Sequence, residues 1–293
     1  MTGDTCVWRI WLAALFWGLN WPAVKILLGG ISPWTLRSVG LTMGGLLLAA
    51  VTVASRQSLA VPRQYWGQLI MAGLLAIAGF NIFAVFAQLS MSASRAAILT
   101  YTMPLWSVLF ARIVLGEPID RLRGLAIGVG AAGLALLSLP FWAQMQDGQF
   151  PVGLVYVMGA AISWSLGTVY LKRCKIPGAP LALTTWQLLV GAVVTTAGMA
   201  LFETPRLELS PLVATMLAYH IIFPQAVAYA LWFGLIARVA TSTVALGTLL
   251  VPIFGVLGAV ILLGERPSAL DLVGFALILT AVLLDQGWRA VRA

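Results

Sequence analysis

Two stretches of the chain decide its architecture: residues 100–117 read TYTMPLWSVLFARIVLGE and residues 248–265 read TLLVPIFGVLGAVILLGE. At an offset of 148, nine of the 18 aligned positions are identical, including Pro104 with Pro252 and the closing Leu-Gly-Glu. An earlier stretch repeats as well, because LFWGLNWPAVK at 15–25 aligns at an offset of 147 with ISWSLGTVYLK at 162–172. Internal repeats of this kind indicate a chain built from two similar halves.

The composition places both halves in a membrane. Hydrophobic residues make up 61% of the 293 positions and charged residues only 9%, with a mean hydropathy of +1.00, whereas a soluble domain carries about 25% charged residues. Each apolar run is near the roughly 20 residues that a helix needs to cross a bilayer, and none shows the alternation of a transmembrane β-barrel. The sequence therefore predicts an all-α membrane protein, one transmembrane domain over 1–293.

We predict ten transmembrane helices, five in each half, joined by short connections. They cover 7–28, 33–54, 66–89, 93–114, 122–142, 152–171, 181–202, 211–236, 241–262 and 269–288. The first five-helix repeat is thus 7–142 and the second 152–288. Because five is odd, the second repeat enters the membrane from the opposite side. Many secondary transporters use such inverted-topology repeats to build two gates around one central site, although gene duplication also builds channels and scaffolds.

The net charge of +8 could indicate a nucleic-acid partner, but the basic residues are segregated. With the N-terminus inside, the predicted inner segments hold twelve of the 17 Lys and Arg residues and the outer loops hold three. The positive-inside rule then predicts that both termini are cytoplasmic. The rule also explains the charge without nucleic acid, so we expect the partners to be the lipid bilayer and a small-molecule substrate, with the chain a monomer or a weak dimer.

The pattern WGLNWPAVKI…ISPWTLR at 17–37 resembles the first-span signature of the EamA-type drug/metabolite transporter (DMT) superfamily. The proline-bearing fourth and ninth spans, which end in LGEP at 115–118 and LGER at 263–266, are similar to it as well. The resemblance covers residue 7 to about residue 284. It implies a ten-helix secondary carrier, in the bacterial inner membrane and without a cofactor, that exports amino acids or other metabolites. The short termini and tryptophan-rich first span are most similar to the YddG-type aromatic amino acid exporters.

The unusual residues of the first span are candidates for a substrate site. Trp17, Asn20 and Trp21 lie within about 100° of one another on a helix. An unpaired amide is unfavourable in hydrocarbon, so Asn20 should face the bundle interior. There it either binds a zwitterionic substrate between tryptophan walls or makes a helix-packing hydrogen bond, which averages about 0.6 kcal/mol in membranes. Gly167 stands at the equivalent position of the second half, so we expect the two copies to contribute unequally.

Other polar and aromatic side chains extend this candidate site. In lipid, polar groups aligned on one helix face indicate a cavity, so we expect spans one, three, four, six, eight and nine to line it. The further substrate-binding candidates are Asn81, Tyr101, Trp164, His220, Gln225 and Tyr229. His220 is the single histidine of the chain, and it is either a hydrogen-bonded structural residue or a proton carrier.

Four residues are candidates for gates and hinges. Lys25 falls near the outer end of span one and its counterpart Lys172 near the inner end of span six. Each either snorkels to the headgroups or acts as one of two symmetric gate residues. Pro104 and Pro252 interrupt equivalent helices and are predicted hinges. Arg37, near the start of span two, is predicted to be an interfacial anchor, with a gating role as the alternative.

The function predicted from these features is export of aromatic or other neutral amino acids by alternating access. No Asp or Glu falls at mid-membrane, so we expect a facilitator that runs down the substrate gradient, with proton exchange through His220 as the alternative. Export of drugs or other organic solutes, a channel and a membrane scaffold are the other possibilities. An enzyme is not expected, because the sequence lacks a nucleophile with its base, paired mid-span acids and metal-ligand motifs, so no catalytic or metal site is predicted.

Overall fold

The part of the chain that the structure describes is helical throughout. A computed structural model describes the backbone of residues 4–235 and 241–292 and the side chains of 8–142, 144–231 and 249–285. The helices are α1 (Asp4–Gly30), α2 (Pro33–Ala54), α3 (Trp66–Gly73), α4 (Phe80–Ser90), α5 (Ala93–Thr100), α6 (Met103–Leu115), α7 (Arg121–Gln146), α8 (Val152–Cys174), α9 (Pro180–Phe202), α10 (Pro211–Ile222), α11 (Ala228–Leu235), α12 (Thr241–Leu263) and α13 (Ala269–Arg292). Two π-helical segments, Leu74–Gly79 and Phe223–Val227, join α3 to α4 and α10 to α11.

Eight stretches of the described chain are long and apolar enough to cross a membrane. They are Trp8–Gly30, Pro33–Ala54, Arg63–Ser90, Ala93–Leu115, Arg121–Gln146, Val152–Cys174, Pro180–Phe202 and Pro211–Leu231, with a shorter apolar helix at Leu249–Leu263. The eight stretches coincide with the first eight predicted spans to within four residues, except that the predicted end of the eighth at 236 lies outside the described residues.

Local sequence sets where several helices begin and end. Pro33 and Pro180 open α2 and α9, since the fixed φ of proline suits the first helical turn. The Ser210 hydroxyl caps α10 by accepting a hydrogen bond from the Val213 amide at 3.3 Å. Gly116 ends α6 with a φ of 71°, a left-handed conformation that glycine adopts without strain.

The two π segments are the main departure from continuous spans, and they start 149 residues apart. In each segment a backbone carbonyl accepts a side-chain hydrogen bond from the first helix of the other half. Trp17 on α1 donates from Nε1 to the Pro224 carbonyl at 3.0 Å, and Ser163 on α8 donates from Oγ to the Leu75 carbonyl at 2.6 Å. Hydropathy does not reveal such segments, because an extra residue in one turn leaves the apolar content of the span unchanged.

The helices of the two halves are packed against each other rather than separately. α1 packs on α10, α11 and α12, while α8 packs on α3, α4, α5 and α6. α2 packs against α9, and α7 packs against α13. These contacts are symmetric between the halves: the contacts of α1 with α10, α11 and α12 correspond to those of α8 with α3, α4, α5 and α6. The interior of the molecule therefore lies between the halves.

Candidate functional site

Four polar side chains from four helices meet in the interior, and we call them the polar layer. Asn20 of α1 and His220 of α10 are hydrogen-bonded, with 2.6 Å between Oδ1 and Nδ1. Arg37 of α2 donates from Nη1 to Oδ1 of Asn81 on α4 at 3.2 Å. Asn81 in turn donates from Nδ2 to the Ile77 carbonyl at 2.9 Å. The two pairs lie next to each other, because the His220 ring packs against Gly40, one turn along α2 from Arg37.

The polar layer lies deep within the spans. Asn20 is ten residues from the end of α1 and His220 nine residues from the start of α10, which at 1.5 Å per residue is about 14 Å from the helix ends. His220 is fully buried, while Arg37 is 4% and Asn81 7% exposed. A hydrocarbon core is about 30 Å thick, so Asn20 and His220 lie near the middle of their spans, whereas Arg37 stands four residues after the start of α2 and extends its side chain to Asn81.

Small residues on α2 make room for the side chains of the eighth span. The Asn20 oxygen can only accept a hydrogen bond, so in this pairing His220 donates from Nδ1, which leaves Nε2 outside the pair. That Nε2 faces α2, where a Cβ on Gly40 would lie 2.6 Å from it. One turn along, a Cβ on Gly44 would lie 2.5 Å from Cβ of Gln225. Gln225, a predicted site residue, is therefore held against α2 and is 7% exposed.

Arg37 is not the interfacial anchor that its position in the sequence predicts. The guanidinium reaches inward to Asn81 instead of outward to the headgroups, and the residue is buried. A charged residue inside a span is a candidate functional residue by default. That rule, applied without regard to depth along the helix, would have identified Arg37.

Several partly buried or buried aromatic side chains lie on helices of the polar layer or pack against residues of those helices, and we call this set the aromatic wall. Its members are Trp17, Trp21, Phe80, Tyr101, Trp164 and Tyr229. Trp17 and Tyr229 meet edge to face with ring centroids 5.3 Å apart, and Phe80 and Trp164 do so at 5.1 Å. Edge-to-face contacts of this kind are favourable because of the aromatic quadrupole.

Packing links these two aromatic pairs to the remaining members of the wall. Phe80 and Tyr101 pack against the apolar cluster that contains Trp21, while Trp164 and Tyr229 pack against the cluster of Leu41 and Leu188. Phe80 was missed from the sequence because it stands next to Asn81, and adjacent residues point about 100° apart on a helix. Its contact with Trp164 depends on how α4 and α8 pack.

The second copy of the first-span motif is unlike the first for a steric reason. Gly167 replaces Asn20 at the equivalent position, and a Cβ there would lie 2.5 Å from N and 2.7 Å from Cα of Ala76. α8 therefore packs directly on the backbone of the first π segment, and no side chain fits between them. As expected from the substitution, the two copies are unequal at this position: the first places an amide in the polar layer, whereas the second provides a close helix contact.

The two predicted gate lysines lie at helix ends and meet acceptors there. Lys25 donates to the carbonyls of Gln88 and, at 2.9 Å, Met91 at the end of α4. It is also attracted electrostatically to Glu265. Lys172 forms an ion pair with Glu117 at 2.5 Å. Glu117 and Glu265 close the two Leu-Gly-Glu repeats, so each lysine faces the acid of the other half.

A third carboxylate, Glu203, joins the halves at the end of the bundle where α2 begins. Glu203 accepts hydrogen bonds from the Ser32 hydroxyl at 2.7 Å and from the amides of Trp34 and Thr35 at 3.1 and 2.8 Å. Partial burial by itself would raise the pKa of the Glu203 carboxyl, but these hydrogen bonds outweigh it and lower the pKa below its usual value. Glu203, which directly follows α9 in the second half, therefore caps the start of α2 in the first half.

The two predicted hinge prolines differ in their surroundings. Pro104 lies in the first turn of α6, directly after a break in the fourth span at Tyr101 and Thr102. Pro252 lies inside α12, which continues from Thr241 to Leu263. Pro252 removes one helical hydrogen bond, whereas Pro104 removes none because an amide in the first helical turn has no acceptor within the helix.

The chemistry that these residues offer is recognition. Among the described residues, no three His, Cys, Asp or Glu side chains are grouped so as to hold a metal ion. The polar layer supplies a guanidinium, an imidazole and amides in a buried setting, and the aromatic wall supplies an apolar surface beside it. A site of this kind fits a small molecule with one polar end and one apolar end.

Comparison with known proteins gives a consistent result. The sequence profile of the EamA-like transporter family matches residues 5–139 and again residues 151–284. The uncharacterized transporter YvbV of Bacillus subtilis (strain 168) is 26% identical over 272 residues, which are 92% of this chain and 88% of that protein. A probable amino-acid metabolite efflux pump of Escherichia coli (strain K12) is 25% identical over 289 residues, 94% of this chain and 92% of that one.

The fold is shared with a solved protein structure as well. A protein known from crystallography superimposes with a TM-score of 0.67, at 22% identity, over 97% of this chain and 96% of its own. The family profile matches both halves, and together the two matches include nearly every helix described above. The chain therefore belongs to the EamA-like transporter family of the drug/metabolite transporter superfamily, whose members are multi-pass membrane proteins that move small solutes.

Proposed function

We propose that the protein exports aromatic or other neutral amino acids across the bacterial inner membrane, by alternating access and as a facilitator. The observation that carries this proposal is the buried polar layer together with the aromatic wall. A zwitterion with an apolar side chain matches such a site in polarity. The probable amino-acid efflux pump among the relatives supports the same substrate class.

The proposed architecture is ten spans in two inverted repeats, with both termini in the cytoplasm. Support comes from a packing contact that recurs at equivalent positions. A Cβ on Gly18 of α1 would lie 2.6 Å from the Val251 carbonyl of α12. Its counterpart Ser165 of α8 donates a hydrogen bond to the Met103 carbonyl at 2.7 Å. Contacts that repeat in this way are expected when two halves of like fold face each other across a pseudo-twofold axis.

In the proposed cycle, contacts at opposite ends open in turn. Lys172 with Glu117 closes one end, and Lys25 with the carbonyls of α4 closes the other. Pro104 and Pro252 let the two helices that end in Leu-Gly-Glu bend while the contact at one end opens and the contact at the other end forms. This cycle needs no fixed oligomer, so we propose that the protein acts as a monomer or a weak dimer.

The first test is uptake of labelled tryptophan into proteoliposomes without a proton gradient. We expect saturable uptake that is inhibited by phenylalanine more strongly than by threonine or by an organic cation, because only phenylalanine offers both a zwitterion and a ring. Uptake is measured as initial rate against substrate concentration, with protein-free liposomes as the control. Inhibition mainly by the organic cation would replace the amino acid proposal with drug export.

The same preparation distinguishes the alternative mechanisms. Flux that does not saturate with tryptophan indicates a channel, and a complete lack of flux for every solute favours a scaffold. Uptake that begins only when a pH gradient is imposed favours proton exchange. In that case His220→Ala should remove the pH-dependent part of transport, because His220 is the one ionisable imidazole of the chain.

We expect the double variant Pro104→Ala with Pro252→Ala to lower the maximal uptake rate roughly fivefold. Pro252→Ala restores a helical hydrogen bond inside α12, and Pro104→Ala removes the fixed φ that favours a new helix start after the break at Tyr101 and Thr102. Both changes favour stiffer helices, and bending steps often limit turnover. The apparent substrate affinity should stay the same, since neither proline belongs to the polar layer. Pro140→Ala is the matched control, because Pro140 also lies inside a helix, α7. An unchanged rate in the folded double variant contradicts the hinge role.

A further inference from the structure

The guanidinium of Arg37 is a buried cation without a counter-ion in the described structure. Among the side chains that are described, no carboxylate lies within 4.0 Å of it. One hydrogen bond, from Nη1 to Asn81, satisfies it in part, and Nε is buried without a hydrogen-bond partner. An uncompensated charge is strongly unfavourable in a membrane interior. If this position were only structural, a neutral side chain would make the folded protein more stable.

The neighbours of Arg37 do not offset this charge. His220 is fully buried and interacts electrostatically with Arg37. Because an imidazole is either neutral or positively charged, it cannot offset the charge of the guanidinium. Its Nε2 is also buried without a hydrogen-bond partner. Asn20 and Asn81 contribute neutral amides that already hold His220 and Arg37 in place. The polar layer as a whole is therefore electropositive and has unused hydrogen-bonding capacity.

We propose that Arg37 binds the carboxylate of the transported substrate, which makes it the residue that selects acids over amines and amides. This inference rests on the proposed transport function and gives it a substrate class. A carboxylate neutralises the guanidinium and accepts two parallel N–H bonds from it, the strongest geometry available to arginine. The hydrogen bond from Nη1 to Asn81 helps to fix the orientation of the guanidinium and leaves Nε without a partner.

The position of the aromatic wall supports this assignment. Phe80 precedes Asn81 in α4, and its ring meets that of Trp164 on α8. A molecule whose carboxylate binds Arg37 can place its apolar part along this pair of rings.

The test compares compounds that differ only in the carboxylate, using the purified full-length protein in lipid nanodiscs. The probes are tryptophan with tryptophanamide, phenylalanine with phenylalaninamide and threonine with threoninamide, and binding is measured as thermal stabilisation against concentration. We expect each acid to bind about 10- to 100-fold more tightly than its amide, because one charge-assisted pair is lost in the amide. Arg37→Gln should abolish the difference.

The matched control is Arg112→Gln, which removes an exposed arginine near the end of α6 and should leave the acid-to-amide ratio unchanged. Should Arg37→Gln fail to fold, Arg37→Lys decides, because an ammonium cannot donate two parallel bonds and the ratio should fall. Equal binding of acids and amides to the wild type overturns the proposal. An unchanged ratio in a folded Arg37 variant, or no stabilisation by any acid at millimolar concentration, overturns it as well.

The panel separates this inference from the proposed function. A preference for the acid that appears with threonine and not with the aromatic pairs keeps the role of Arg37 and removes the aromatic substrate. A preference for aromatic compounds whether acid or amide does the reverse: it keeps the aromatic substrate and removes the role of Arg37.

Discussion

Gly167→Ala is expected to destabilise the folded protein by about 3 kcal/mol, or about 10 °C in melting temperature. The added Cβ would lie 2.5 Å from the amide nitrogen and 2.6 Å from Cβ of Ala76, and both atoms are held in the first π segment. Because the obstacle includes backbone, it cannot rotate away, and α8 must shift as a whole. The change in melting temperature is measured by heating the protein in detergent and recording the fraction that remains soluble at each temperature.

Gly128→Ala is the matched control for this prediction. Gly128 also lies within a helix, α7, but a Cβ there meets no atom within 4 Å. The same chemical change should therefore leave the melting temperature unchanged or raise it, since alanine is the better helix former. Equal melting temperatures for Gly167→Ala and the wild type would mean that α8 does not pack on the π segment in this way.

Reversing the charge of Lys172 is expected to slow tryptophan uptake at least about tenfold. Lys172→Glu places two carboxylates at the contact where the ammonium now lies 2.5 Å from Glu117, and repulsion at this distance opposes closure of that end. The exchange of charges, Lys172→Glu with Glu117→Lys, should restore uptake to within about threefold of the wild type. The reason is that the attraction in a partly exposed ion pair depends mainly on the two charges being opposite in sign. Initial uptake rates into proteoliposomes measure both effects.

The control for the charge reversal is Lys175→Glu, which makes the same change in net charge three residues away. Lys175 is exposed and follows the end of α8, so its reversal should leave uptake unchanged. The exchange also removes the 3.5 Å contact of Glu117 with Arg123, but Arg123 keeps its ion pair with Asp285. Equal rates in Lys172→Glu and the wild type, or an exchange variant that folds but stays slow, argue against the gate.

Several features of this protein could be predicted from its amino-acid sequence. Apolar runs of the right length place the spans to within a few residues, because hydropathy adds up over a local window regardless of the neighbours. The recurrence of TYTMPLWSVLFARIVLGE as TLLVPIFGVLGAVILLGE indicated two similar halves, and the family profile matches both. The unequal roles of Asn20 and Gly167 were also expected from the substitution itself.

Other features depend on which side chains meet across helices, and no local window contains that information. Arg37 was predicted to reach the headgroups, yet it extends inward because Asn81, 44 residues away, offers an acceptor there. Phe80 joins the aromatic wall only because α8 brings Trp164 against it.

The sequence by itself determined a helical membrane protein of two related halves and its family. The tertiary structure alone decided that Asn20, Arg37, Asn81 and His220 form one buried layer. The physical reason is that burial of each helix follows from its own composition, whereas a hydrogen bond between helices depends on the distance and rotation at which they pack.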